Sequence, residues 1–298
     1  MKNKLIVILG PTAIGKTNIS IEIASSLQTE IISFDSRQFY KELKIGAAPP
    51  HDHQLKKVPH YFIHNLSIQE NYNAGMYEND VIKKLKILFK KHKKIVAVGG
   101  SGLYLDAICK GFDSIPDIKK EEREKINQKF KDNGIEWLNE EIKAIDPEYY
   151  NLVDQKNPRR LIRGLEVFYS TGKTYSSYRK KQQKKRSFEI IKIGLSMQRE
   201  NLYERINQRV DYMMKNGFLN EVVSLKKYKD FNPLQTVGYN ELFDYLENKI
   251  NLEDAISRIK QNTRRLAKRQ ITWFKKDTTI KWFNAKERDN IISFIESH

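Results

Sequence analysis

The eight residues Gly10-Pro11-Thr12-Ala13-Ile14-Gly15-Lys16-Thr17 constrain this chain more than any other feature. They fit the phosphate-binding pattern G-x-x-x-x-G-K-[ST], with an apolar strand-like run at residues 5–9 before them and a helix-like run at 18–27 after them. The motif works only as a strand–loop–helix unit. Gly10 and Gly15 let the backbone curl so that successive N–H groups converge on phosphate oxygens. The helix N-terminus adds partial positive charge, and Lys16 adds a full one. The Thr17 hydroxyl is suited to a magnesium ion bridging the phosphates. The expectation is a diphosphate or polyphosphate site on an α/β frame.

The sequence around the loop supports that frame. A strand at 30–34 ends at Asp35, an amphipathic stretch covers 74–91, and a third strand at 95–98 closes on Gly99-Gly100-Ser101-Gly102. Such alternation predicts a parallel, doubly wound sheet with ligands at the carboxyl ends of its strands. The loop, Asp35 and the glycine turn all fall at such ends. Residues 118–169 read as helices with Ile126, Phe130, Trp137, Leu138 and Ile142 at apolar spacing, punctuated by Asp146-Pro147 and Asn157-Pro158. A strand at 189–195 follows, then helical sequence to residue 298. There Leu252, Ile256, Ile259, Thr263, Leu266 and Phe274 keep near-helical spacing, leaving Arg258, Arg264, Arg265, Lys268 and Arg269 mostly off that face. The expected fold class is α/β: a P-loop-type parallel sheet core (1–115 and 187–298) with helices on both faces, interrupted by a helical insertion domain at 116–186.

Charge narrows the partner. The net +17 is concentrated in two blocks, 156–186 with eleven Lys/Arg against Glu166, and 258–281 with nine against Asp277. A generally Lys-rich composition predicts diffuse charge instead. Two basic blocks on a phosphate-handling chain point to a polyanion, most simply nucleic acid. No apolar stretch approaches the roughly 20 residues needed to span a bilayer, and no signal peptide is legible. Cys109 is the sole cysteine, which excludes an internal disulfide and suits a reducing cytoplasm; a buried structural thiol is expected.

Individual residues carry the chemistry. Asp35, in Ser33-Phe34-Asp35-Ser36-Arg37-Gln38, can bind magnesium through water or act as a general base, and Ser36 and Gln38 can bond a base edge. Arg205 and Arg209 share a helix face, and spacing alone does not choose between them as the partner of a pyrophosphate. His51, His53, His60 and His64 cluster in sequence without metal-ligand spacing and read as surface or loop histidines. A P-loop kinase or NTPase acting on nucleic acid, or a non-catalytic RNA-binding module, would share several of these features.

Seven stretches break that tie: GPTAIGKT, ISFDSRQFYKELKIG, VGGSGLYLDAI, NPRRLIRGLEVFYSTGKT, LYERINQRVDYMMKNGFLNEV, TVGYNEL and TRRLAKRQITWF. In this order, over nearly the whole chain, they resemble the bacterial tRNA dimethylallyltransferase (isopentenyltransferase) family. The resemblance implies transfer of a dimethylallyl group from its diphosphate to the exocyclic amine of the adenosine 3′-adjacent to the anticodon, in tRNAs reading codons that begin with U. It implies that residues 10–17 hold the isoprenoid diphosphate, although such motifs are commonly labelled ATP-binding. It makes Asp35 the base, Thr12 and Arg209 the pyrophosphate-positioning pair, and Mg2+ the cofactor at Thr17. Asp35, Ser36, Arg37, Gln38, Ser101, Arg123 and the run Arg159, Arg160, Leu161, Ile162, Arg163 fall at its tRNA-contact positions, with the insertion gripping the anticodon stem. The chain departs from the family pattern at Ala47, Pro49, Ser101 and Arg159. The expected partners are tRNA and dimethylallyl diphosphate, with no membrane, for a monomer in the cytoplasm.

Overall fold

The computed structural model describes residues 2–179 and 184–298. Lys180 and Lys181 of the first basic block lie outside the described residues. The chain divides into two compact units, Met1–Lys110 with Lys185–His298, and Gly111–Lys184.

The first unit is built on six strands: β1 (Lys4–Leu9), β2 (Ile31–Ser33), β3 (His60–Tyr61), β4 (Lys94–Gly99), β5 (Glu189–Ser196) and β6 (Lys281–Asn284). They form one sheet in the order β3-β2-β4-β1-β5-β6, with every pairing parallel. β1 and β4 are central and nearly continuous in apolar residues, as strands covered on both faces must be. Ile6, Ile8, Val96, Ile193 and Leu195 of the sheet pack with Ile19, Ile21 and Ile23 of the helix Lys16–Ser26, with Leu202 and Ile206, and with Ile291 and Ile295. Parallel register brings the strand ends level: Leu9 pairs with Gly99 and Ser33 with Val98. The phosphate loop, Asp35 and the glycine turn therefore emerge along one edge.

Two strands lie where the sequence pattern showed none. β3 has only two residues, too few for an alternation. β6 interrupts the stretch read as uninterrupted helix. Its Trp282 lies against Gly194 of β5, which leaves room for the indole beside the sheet. The final helix spans Arg288–Glu296.

The second unit is helical. The stretch Lys120–Ile145 breaks at Gly134, whose φ of 74° and ψ of −166° end one helix and begin another. The helix Pro147–Leu152 is capped by Asp146, whose carboxylate accepts from Tyr149 N–H at 3.0 Å and Ser176 N–H at 2.8 Å. The helix Pro158–Thr171 starts on Asn157 with proline in its first turn and ends on left-handed Gly172. Ile126, Leu138, Ile142, Tyr149, Val153, Leu161 and Leu165 form the core of this unit.

Candidate active site

In the phosphate loop, Gly10, Ala13 and Gly15 all have positive φ, at 150°, 64° and 104°. Ala13 holds a left-handed conformation that alanine disfavours, strain of a kind concentrated at ligand sites. Ile14 is buried in the core and anchors the loop from below, while Pro11 is buried beside it. Lys16 Nζ donates to its own loop, to the Gly10 carbonyl at 3.0 Å and the Pro11 carbonyl at 2.8 Å. Burial lowers the Lys16 ammonium to about 8; Asp35 opposes that shift and Arg209 adds to it.

Thr12, Gly15, Lys16, Thr17, Asp35, Gln38, Arg205 and Arg209 line one cleft of about 890 Å³, closed on another side by residues 44–45, 47–52, 54 and 64. That volume is in the upper range for small-molecule sites. Arg209, on the helix Arg199–Lys215, directs Nη1 to the Thr12 hydroxyl and Nη2 to the Ala48 carbonyl, each at 3.4 Å. Burial lowers its pKa, with Asp35 opposing the shift. Arg205 lines the same cleft, so the two arginines converge on one opening. Asp35 lies just past β2, and its carboxylate accepts from Arg37 N–H at 3.2 Å.

The stretch 35–38 and Ser101 meet. Ser36 N–H donates to Ser101 Oγ at 3.1 Å, and the two hydroxyls lie 3.2 Å apart. Gln38 donates to the Ala48 carbonyl at 3.1 Å, tying the cleft wall to β2. Arg37 donates to the Asn232 and Pro233 carbonyls at 3.2 and 2.7 Å. Within the helical unit, Arg123 forms a two-pronged contact with buried Glu166, at 2.7 and 3.3 Å, and Arg163 approaches the same carboxylate at 3.5 Å. Arg159 and Arg160 are exposed, Ile162 is partly buried, and Leu161 is fully buried in the core. Helical periodicity turns the Leu161 side chain inward, while its neighbours Arg159 and Arg160 face out.

Three expectations change. Cys109 is only half-buried, although burial pushes its thiol up to about 12. Arg186, counted by sequence in a basic block read as facing a polyanion, is instead about nine-tenths covered: it binds Glu78 at 3.1 Å and the Ala107 and Ile108 carbonyls at 2.6 and 2.8 Å. The histidines are not all surface or loop groups, since His60 belongs to β3. His51 and His64 line the main cleft, His60 faces Thr17 and Asp35, and the Nε2 atoms of His60 and His64 are buried. Burial lowers the pKa of both.

Two residues that sequence reasoning passed over shape the site. Glu221 accepts from Ile45 and Gly46 N–H at 2.7 and 3.0 Å and from the Tyr239 hydroxyl at 2.6 Å, which fixes the 44–50 wall. Gln270 bonds Thr12 N–H. Both sit inside the matched stretches, but nothing local marks them as site residues.

The family model for IPP transferase matches residues 38–277. A tRNA dimethylallyltransferase of Christiangramia forsetii is 51% identical over 298 residues, covering 100% of this chain and 99% of that protein. The solved structure of the full-length tRNA isopentenylpyrophosphate transferase of Bacillus halodurans aligns with TM-score 0.73 and 32% identity, over 99% of this chain and 96% of the other. A eukaryotic dimethylallyltransferase, solved acting on tRNA, aligns with TM-score 0.78 and 27% identity over 96% of this chain and 75% of its own. With this cleft at the carboxyl edge of a parallel sheet, the chain belongs to the IPP transferase family.

Proposed function

We propose that this chain transfers the dimethylallyl group of dimethylallyl diphosphate to the exocyclic amine of an adenosine 3′-adjacent to the anticodon of tRNA. The observation that carries the reading is the meeting of Lys16, Thr17, Asp35 and Arg209 on one cleft of about 890 Å³. That cleft holds an anion-binding loop, two arginines and a carboxylate, the set that an alkyl transfer with a diphosphate leaving group requires. A P-loop kinase or NTPase is not favoured by the relatives' names.

The amine of adenine is a weak nucleophile, because its lone pair is delocalised into the ring. Its nitrogen forms the new bond to the allylic carbon while the bond from that carbon to the diphosphate oxygen breaks. Asp35 takes the displaced N–H proton. Lys16, the loop amides, Thr12 and Arg209 stabilise the charge growing on the departing diphosphate. A stacked base cannot enter such a cleft, so the adenosine swings out of the anticodon loop. The joined Ser36 and Ser101 hydroxyls lie beside Asp35, where they suit contact with that nucleotide.

A magnesium ion fits these residues. Among the described residues no group of three His, Cys, Asp or Glu side chains forms a cage. The Thr17 hydroxyl, completed by diphosphate oxygens and water, with Asp35 lining the same small pocket, is the sparse donor set that magnesium accepts. When bound it would supply further charge to the leaving group.

Exposed Arg159 and Arg160, with the helices that carry them, are proposed to follow the backbone of the anticodon stem. Among the described residues no helix is long and apolar enough to cross a membrane. Incubation with dimethylallyl diphosphate and tRNA, then nucleoside mass analysis, tests the reading. A five-carbon addition to adenosine is expected; triphosphate hydrolysis without prenylation would overturn it.

A further inference from the structure

Gln270 lies in the helix Leu252–Phe274, within the second basic block, and ties two strand ends together. Its Oε1 accepts from Thr12 N–H at 2.8 Å, and its Nε2 donates to the Gly100 carbonyl at 2.9 Å. Those partners fix which way the amide points, since a peptide N–H only donates and a carbonyl only accepts. A Cβ at position 100 would lie 2.5 Å from Nε2, so glycine there is what admits the amide. Trp273, three residues on, lies against Gly102 and braces the same helix on the same turn.

The contacts continue on both sides. Thr12 presents its hydroxyl to Arg209. Gly100 leads into Ser101, which bonds Ser36 next to Asp35. One amide thus sits between the groups that face the leaving diphosphate and those beside the proposed base. We propose that Gln270 is a positioning residue for the transfer: it holds Thr12, and through it the Arg209 contact, in register with the β4 turn that supports Asp35. This rests on the cleft being the donor site. In-line displacement needs nucleophile, carbon and leaving oxygen aligned, and a misplacement of about 1 Å costs on the order of a hundredfold in rate.

The test uses the full chain with Gln270→Ala and Gln270→Glu. Ionised glutamate still accepts from Thr12 N–H but has no proton for the Gly100 carbonyl, whereas protonated glutamic acid restores both bonds. Gln270→Ala is expected to lower kcat by about ten- to a hundredfold at every pH, with KM for tRNA unchanged. Gln270→Glu is expected to be about as impaired near pH 8 and to recover relative to wild type as pH falls toward the carboxyl range. A merely structural glutamine gives no such divergence of pH profiles. Dimethylallyl diphosphate titrated alone should bind Gln270→Ala about tenfold more weakly than wild type. Wild-type kcat and donor affinity in Gln270→Ala, a Gln270→Glu profile parallel to wild type, or a defect confined to tRNA affinity would each overturn the proposal. If wild type transfers no prenyl group, the functional reading fails, and the donor titration still decides the role of Gln270.

Discussion

Arg209 and Thr12, 197 residues apart in sequence, meet across the mouth of the phosphate loop with 3.4 Å between Nη1 and Oγ1. At that distance the bond is weak, and an anion between the two groups would draw both inward. Thr12→Ala and Arg209→Ala should each lower kcat/KM, and the double variant should lose less than the product of the two losses. Fully multiplicative effects in the double-mutant cycle would mean that the two groups act independently.

Asp35→Asn keeps the shape of the side chain and removes its basicity. We expect kcat to fall by about a hundred- to ten-thousand-fold, while tRNA binding by filter retention stays within a factor of about two of wild type. Near wild-type single-turnover rates would exclude Asp35 as the base.

Lys16 should make binding of the proposed donor pH-dependent. Burial holds its ammonium at about 8, below its usual 10.5. The fold therefore carries the full cost of the charged form below pH 8, and that cost is relieved as pH rises from about 8 to 10.5. Bound diphosphate favours the ammonium, so binding should take up a proton above about pH 8, and affinity for dimethylallyl diphosphate should fall as pH rises. Calorimetry at about pH 9 in two buffers of different ionisation enthalpy reads that uptake directly. Lys16→Met should abolish it; equal uptake in the variant would place the titrating group elsewhere.

The RNA contacts proposed for the helical unit can be separated from its stability. Arg159→Gln with Arg160→Gln alters exposed charge and should flatten the plot of log tRNA affinity against log salt, by somewhat under about one unit for each phosphate left without its arginine. Glu166→Ala instead removes the buried carboxylate between Arg123 and Arg163, and should destabilise the protein by about 1–3 kcal/mol in urea. Parallel salt slopes for the first variant would leave those arginines as a solvated face only.

The parallel sheet and its functional edge were legible because β1, the phosphate loop and the helix after it form a contiguous signal, and because Asp35 and Gly99 directly follow apolar runs. β3 and β6 were not, since two and four residues are too short to carry a period. Side-chain partnerships across the chain were equally hidden. That Arg186 is committed to Glu78, that Arg123 is committed to Glu166, and that Glu221 holds the 45–46 backbone are matters of tertiary proximity. Composition saw only that the first block was basic; the fold decided which of its charges face water.

The order of the strands sets when in synthesis this site can exist. β1 and the phosphate loop leave the ribosome ahead of the other strands, yet β1 pairs with β5 through contacts such as Leu5 with Ile190, and Thr12 awaits Arg209 and Gln270. At roughly 5–20 residues per second, about ten to fifty seconds separate the loop from its last partner. Until β5 follows, β1 is an apolar strand with an open edge, the kind of segment that chaperones bind and that aggregates when they are absent. A nascent chain cut anywhere between Thr17 and Gln270 would carry the whole phosphate-binding motif and still lack the framework that aims it.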